Sequence, residues 1–216
     1  GMKGKFQGGE TKGSVFVEAD SGVVFNKLVR FTVEEGLGGL EAHLGLPGTV
    51  GGAIFMNSKW TKPESYVGDS LYQATILTPK NEVKVVERSY FRFAYDTSSI
   101  QKTSDIALRV VFALGPQDKE ALWNVANQSI SYRRESQPQG TKSPGCTFRN
   151  ISKALAIAAA TPNHTTSAGF LLDHAGLKGK SVGDAQISTI HANFIINNGH
   201  AHASDVVELI EIAKAT

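Results

Sequence analysis

The sequence predicts an α+β protein in two parts. Three observations carry that expectation: an early strand-then-helix pattern, a central pair of strands joined by a polar turn, and a turn-rich break followed by shorter elements. The chain has 216 residues, 41% hydrophobic and 19% charged, enough to bury a core in each part. Near the start, Val15, Val17 and Ala19 alternate with Phe16 and Glu18, a strand pattern. Asp20-Ser21-Gly22 then opens a helical pattern with Val24, Leu28 and Phe31 on one face and Phe25, Val29 and Val33 beside them. Gly36 is its natural stop.

The stretch 36-GLGGLEAHLGLPGTVGGAIFMN-57 follows, rich in glycine. Beyond a loop with Trp60 and Pro63, the segments 71–78 and 82–87 read as a hairpin about Pro79-Lys80-Asn81. The segment 106-IALRVVFAL-114 predicts a strand buried on both faces. Asp118 suits the N-cap of a helix over 119–134, in which Leu122, Val125 and Ser129 share a face. The polar run 135-ESQPQGTKSPG-145 is the expected boundary, giving domains at 1–142, with the linking helix 119–134, and at 143–216. In the second, a short strand around Cys146 is expected, then an Ala-rich segment at 153–160. A helix near 167–175, a strand at 192–197 and a last helix from Ser204 or Asp205 complete it. That last helix carries the stripe Val206, Leu209, Ile210 and Ala213.

Composition narrows the function classes. The net charge of +2 is scattered along the chain, so no nucleic-acid footprint and no anionic-membrane footprint is expected. A single cysteine excludes an internal disulfide and a multi-cysteine metal site, and no metal is expected. The run 154-ALAIAAA-160 is too short to span a bilayer, and the N-terminus lacks a signal-peptide core. Composition thus predicts a soluble, intracellular globular protein, expected in the cytoplasm; a monomer is expected, though composition does not fix it.

Within 45-GLPGTVGGA-53, glycines remove Cβ atoms and let backbone approach a pyrophosphate or the edge of a flat ring. A tight turn packed on a sheet explains the same spacing, and both readings stand. Arg133 and Arg134 suit a helix C-terminus as capping cations. His191 could be an interior histidine, Lys178 a solvent-facing turn residue, and Cys146 a small buried hydrophobe. Spacing alone leaves each of these open.

Taken together, 36–57, 132-YRRESQP-138 with 144-PGCTFRN-150, and the run from 168-AGFLLDHAGLKGK to Ile210 resemble the UDP-N-acetylenolpyruvoylglucosamine reductase family in order and spacing. The resemblance implies an FAD-binding middle domain of the vanillyl-alcohol-oxidase/reductase type plus a smaller α+β substrate-binding domain. It implies FAD as cofactor, NADPH as co-substrate, and UDP-N-acetylglucosamine enolpyruvate as the substrate reduced in peptidoglycan precursor synthesis. Cys146 occupies the family's proton-donor position. Gly48, Thr49, Val50, Gly51, Gly52, Asn57 and Arg133 match flavin-side positions, and Asn150, Lys178 and His191 match positions that hold the UDP-sugar.

There are departures. Asp96 in 95-YDTS-98 stands where the family has arginine, so no catalytic arginine is carried over there. The first FAD subdomain and the C-terminal catalytic glutamate have no counterpart, which implies a segment of a longer reductase, inactive by itself. The alternative is a sugar-nucleotide- or flavin-binding relative that has lost the chemistry.

Overall fold

Alternating apolar side chains build the first layer of a mixed α+β structure. The computed structural model describes residues 2–6, 13–62 and 64–216. In it, β1 (Met2–Phe6) pairs antiparallel with β2 (Val15–Asp20), which buries Phe16, Val17 and Ala19. The chain forms two compact units, Gly1–Ser131 and Tyr132–Thr216.

In the first unit, α1 (Phe25–Glu34) buries Phe25, Leu28, Val29, Thr32 and Val33, the i, i+3, i+4, i+7, i+8 stripe of an amphipathic helix. The Thr32 hydroxyl is satisfied inside the core by donating to the Val29 carbonyl at 2.9 Å. Gly36 ends the helix at φ 67°, a left-handed value that glycine adopts without Cβ strain. Then come β3 (Leu37–Gly38), α2 (Val50–Met56), β4 (Lys59–Thr61), β5 (Glu64–Tyr66), β6 (Leu71–Leu77), β7 (Val83–Glu87), α3 (Ile100–Thr103), β8 (Ile106–Pro116) and most of α4 (Lys119–Ser136), whose residues from Tyr132 on belong to the second unit. The main sheet runs β1-β2-β8-β6-β7, antiparallel throughout, with β3 also pairing to β8.

Side chains of α1, α2, β2, β6 and β8 merge into one core that includes Phe25, Leu28, Ile54, Ile76 and Phe112. Each large apolar side chain buried there contributes about 1.5–3 kcal/mol relative to exposure.

The hairpin β6–β7 forms as expected, but β8 is not buried on both faces along its length. Val110, Val111 and Phe112 are buried, whereas Ile106, Leu108 and Arg109 reach solvent. The physical reason lies in the pairing: the β6–β8 register shifts between Thr75 and Ile76, and Arg109 turns toward carboxylates on β2. Arg109 lies 3.5 Å from Glu18 and 3.3 Å from Asp20 on the neighbouring strand.

The second unit holds α5 (Lys153–Ala158), α6 (Ala168–His174), β9 (Ser181–Val182), β10 (Ala185–Ile187), β11 (Ile195–Asn197) and α7 (Ala203–Ala215). Its small antiparallel sheet has the order β11-β10-β9. Leu172, Leu177, Ala185, Ile187, Ala192, Ile195 and Leu209 make its core, with Val206, Ile210 and Ala213 of α7 packed around them. Asp205 caps α7 by accepting from the His202 N–H at 2.8 Å. Two expected strands shrink: 192–197 contributes only Ile195–Asn197, and the Cys146 strand is a single antiparallel bridge to Phe194. Among the described residues no helix is long and apolar enough to cross a membrane.

Candidate functional site

The first candidate region lies wholly in the first unit. Thr49 caps α2, its Oγ1 accepting from the Gly52 N–H at 3.2 Å, and the Val50 side chain is fully buried in the core. Gly48 just precedes the helix at φ 101°, a conformation suited to glycine. The Val50 N–H donates to the Val23 carbonyl and the Gly51 N–H to the Ser21 carbonyl, each at 2.9 Å. The segment therefore spends these backbone donors on its own neighbours and presents a smooth Cα surface instead of a phosphate nest.

A cleft of about 690 Å³ opens beside it, lined in part by Ser21, Gly22, Thr49, Gly51, Gly52 and Phe55. That volume suits a small-molecule ligand. Ser21 Oγ is buried with no protein partner among the described residues. A buried hydroxyl without a partner costs about 1–3 kcal/mol, which a ligand atom could offset. A Cβ added at Gly51 would come within 2.9 Å of Ser21 Cβ, so glycine keeps the two segments in close contact. In the sequence Ser21 stands out only as part of the Asp20-Ser21-Gly22 turn after β2, which carries no signal of a site.

Asn57 behaves differently from its neighbours. It ends α2 in the left-handed region at φ 46°, and it is 3% exposed. Its Oδ1 accepts from the Gly68 N–H at 3.1 Å, and its Nδ2 donates to the Ala94 carbonyl at 2.9 Å. Its side chain is thus occupied in holding two loops of the first unit.

The second region lies wholly in the second unit. Cys146 is exposed, so the reading of a small buried hydrophobe does not hold. Arg133, near the C-terminal end of α4, interacts electrostatically with it. Burial pushes the Arg133 guanidinium down to about 10, an effect that Cys146 opposes, so the cation persists at neutral pH.

Around Cys146 the chain is clasped to the 191–194 stretch. The Thr147 N–H donates to the Asn193 carbonyl at 2.7 Å, and Cys146 bridges to Phe194. Asn193 Oδ1 accepts from the Phe148 N–H, and its Nδ2 donates to the Phe148 carbonyl, both at 2.8 Å. Asn193 itself escaped sequence reading, because nothing local in 191-HANF-194 marks a partner 45 residues upstream.

The three expected sugar-nucleotide residues gather around α6. Asn150 Oδ1 accepts from the Ala168 N–H at 3.0 Å at the start of that helix. His191 packs on it where a Cβ at Gly169 would meet the ring at 2.8 Å. Lys178, exposed in the turn after α6 as its spacing suggests, pairs with Asp173 near the end of that helix at 2.6 Å. Burial pushes the His191 pKa down; its own backbone carbonyl opposes the shift, Lys178 adds to it and Asp173 opposes it. Among the described residues no cluster of three or more His, Cys, Asp or Glu could hold a metal ion.

A pH prediction follows from His191. With its folded pKa below the ordinary 6.5, the unfolded state binds more protons in acid, so stability falls as pH drops through and below that value. Urea unfolding at stepped pH should show this slope, reduced in His191→Gln. An equal slope in the variant would assign the effect to other groups.

Comparison with known proteins bears on both regions. A family model described as the C-terminal domain of UDP-N-acetylenolpyruvoylglucosamine reductase matches residues 137–216. The reductase of that name from Halalkalibacterium halodurans is 38% identical over 190 residues, covering 88% of this chain and 58% of its own length. The one from Chlamydia muridarum is 39% identical over 196 residues, covering 91% of this chain and 61% of its own. The chain thus spans about three-fifths of the curated relatives it matches. The crystal structure of UDP-N-acetylenolpyruvylglucosamine reductase from Thermus caldophilus superposes with a TM-score of 0.79 at 34% identity, over 92% of this chain and 68% of that one.

Proposed function

The chain belongs to the UDP-N-acetylenolpyruvoylglucosamine reductase family, and from that premise we propose that it provides flavin-facing and sugar-nucleotide-facing parts of an FAD-dependent reductase. The reaction is NADPH-dependent reduction of UDP-N-acetylglucosamine enolpyruvate to UDP-N-acetylmuramate, a step of peptidoglycan precursor synthesis. The observation that carries this reading is the assembly around Cys146: an exposed thiol beside the Arg133 cation, held against the segment that bears His191.

In this reading the cleft beside Gly51 and Gly52, lined also by Ser21, Thr49 and Phe55, takes the flavin ring. Bound there, FAD would supply the hydride taken from NADPH. The side chains of this chain handle position and the proton. Cys146 Sγ delivers its proton to the carbon next to the substrate carboxylate, and the charge left behind is stabilised by the fixed Arg133 cation. Lys178 offers positive charge to the diphosphate. Asn150 and His191 complete the sugar-nucleotide contacts.

The test is an assay of the full reading frame's product, measuring NADPH oxidation that depends on the enolpyruvyl sugar nucleotide. The 216-residue chain alone should bind FAD weakly, since Val50, Gly51 and Gly52 have committed their N–H groups and leave none for the diphosphate. Purification of a yellow, stoichiometric complex of this chain would count against that part of the proposal. A second reading, a binding protein without redox activity, draws support from Asp96. This carboxylate replaces the family arginine in a left-handed turn closed by Ala94 and Thr97. Substrate-dependent NADPH oxidation would dismiss that reading; ligand binding without turnover would favour it.

A further inference from the structure

Asn193 bonds in two directions. Its side chain holds both polar groups of the Phe148 backbone, two residues from Cys146, while its own N–H points at His191 Nδ1 at 3.2 Å. A backbone N–H can only donate, so Nδ1 must accept. A neutral imidazole carries one ring proton, which is then left on Nε2.

The competing partner is the ring's own backbone carbonyl, which favours a proton on the ring. Serving that carbonyl from Nδ1 would set one N–H against another and strand the amide of a residue that is only 4% exposed. The ring is fixed on its other sides as well. Phe194 meets it edge-on with centroids 5.0 Å apart, and Gly169 faces Cε1. The charged groups near it are Lys178 and Asp173, paired with each other.

We infer that Asn193 is a positioning residue whose backbone amide fixes His191 as the Nε2–H tautomer and whose side chain ties that ring to the Cys146 segment. His191 is thereby a neutral hydrogen-bond donor, offering Nε2–H to an oxygen of the sugar diphosphate beside the Lys178 cation. The ring acts by direction and not by charge. The use made of the ring rests on the reductase reading; the tautomer rests on hydrogen-bond geometry alone.

The test is a long-range proton–nitrogen NMR spectrum of the ¹⁵N-histidine-labelled chain at neutral pH. His191 is assigned among the six histidines by its loss in His191→Gln. The expected pattern has the protonated ring nitrogen coupled strongly to both carbon-bound ring protons and the unprotonated one to Hε1 alone. The reverse pattern, or nitrogen shifts averaged between tautomers, would overturn the inference.

For the clasp, Asn193→Ala should speed amide exchange at Phe148 roughly tenfold, while Asn193→Asp, which retains an acceptor, should keep most of the protection. Unchanged exchange in the alanine variant would refute the clasp. The wild-type spectrum decides the tautomer even where the alanine variant fails to fold. The expected pattern together with no substrate-dependent turnover in the complete protein would support the tautomer and count against the reductase reading.

Discussion

On the proposed function, Cys146→Ala is expected to slow turnover of the enolpyruvyl substrate by about 10²–10⁴-fold, the usual contribution of a positioned proton donor. Reduction of the flavin by NADPH should be unaffected, because that half-reaction needs no proton from this thiol. Stopped-flow traces separate the two: flavin bleaching on mixing with NADPH stays at its wild-type rate, and reoxidation by substrate stalls. Cys146→Ser should retain appreciable activity, since a hydroxyl at the same position can still deliver a proton. The exposure of Cys146 in the second unit leaves it within reach of a ligand. If the alanine variant reoxidised normally, the proton would come from another group and the proposed role would be abandoned.

The second large effect concerns stability. Asn57→Ala should cost about 2–4 kcal/mol, because it strands the buried Gly68 N–H and removes one of the two donors to the Ala94 carbonyl, which keeps the Thr97 N–H. It also leaves a residue with a Cβ at φ 46°. For a chain of this size that corresponds to a fall in Tm of very roughly 5–15 °C. Asn57→Gly loses the same two hydrogen bonds but relieves the left-handed strain, so it should be milder than alanine by about 1 kcal/mol. Calorimetry on the three proteins would show this order. Were Asn57 chiefly a flavin contact, alanine and glycine would both leave Tm near wild type and weaken FAD binding alone. The geometry favours the structural role.

Periodic segments were legible in the sequence because their information is local. The stripe of α1, the β6–β7 hairpin and the Leu122–Ser129 face of α4 follow from spacing within a dozen residues. β8 was misjudged at one end because an apolar run says nothing of register. The shift against β6 at Thr75 and Ile76, and the carboxylates of β2 beside Arg109, are nonlocal facts. The Cys146 segment looked like a strand, yet one bridge and the side chain of Asn193 do the work of a ladder. For the candidate site, family resemblance supplied the residues and spacing alone supplied none of their roles. Ser21 and Asn193 owe their place to tertiary structure, one by a buried hydroxyl without a partner among the described residues and the other by its bonds to both Phe148 and His191.

Helix α6 has seven residues, yet Asn150 hangs from its first amide, His191 leans on Gly169, and Lys178 is moored to Asp173. A swivel of this short rod would carry all three fixtures together, like teeth on one key. A change beneath the rod would therefore shift all three side chains at once, without touching any of them. For the same reason, paired changes at Asn150 and Lys178 should depart from simple addition in a double-mutant cycle, although 28 positions of chain separate them.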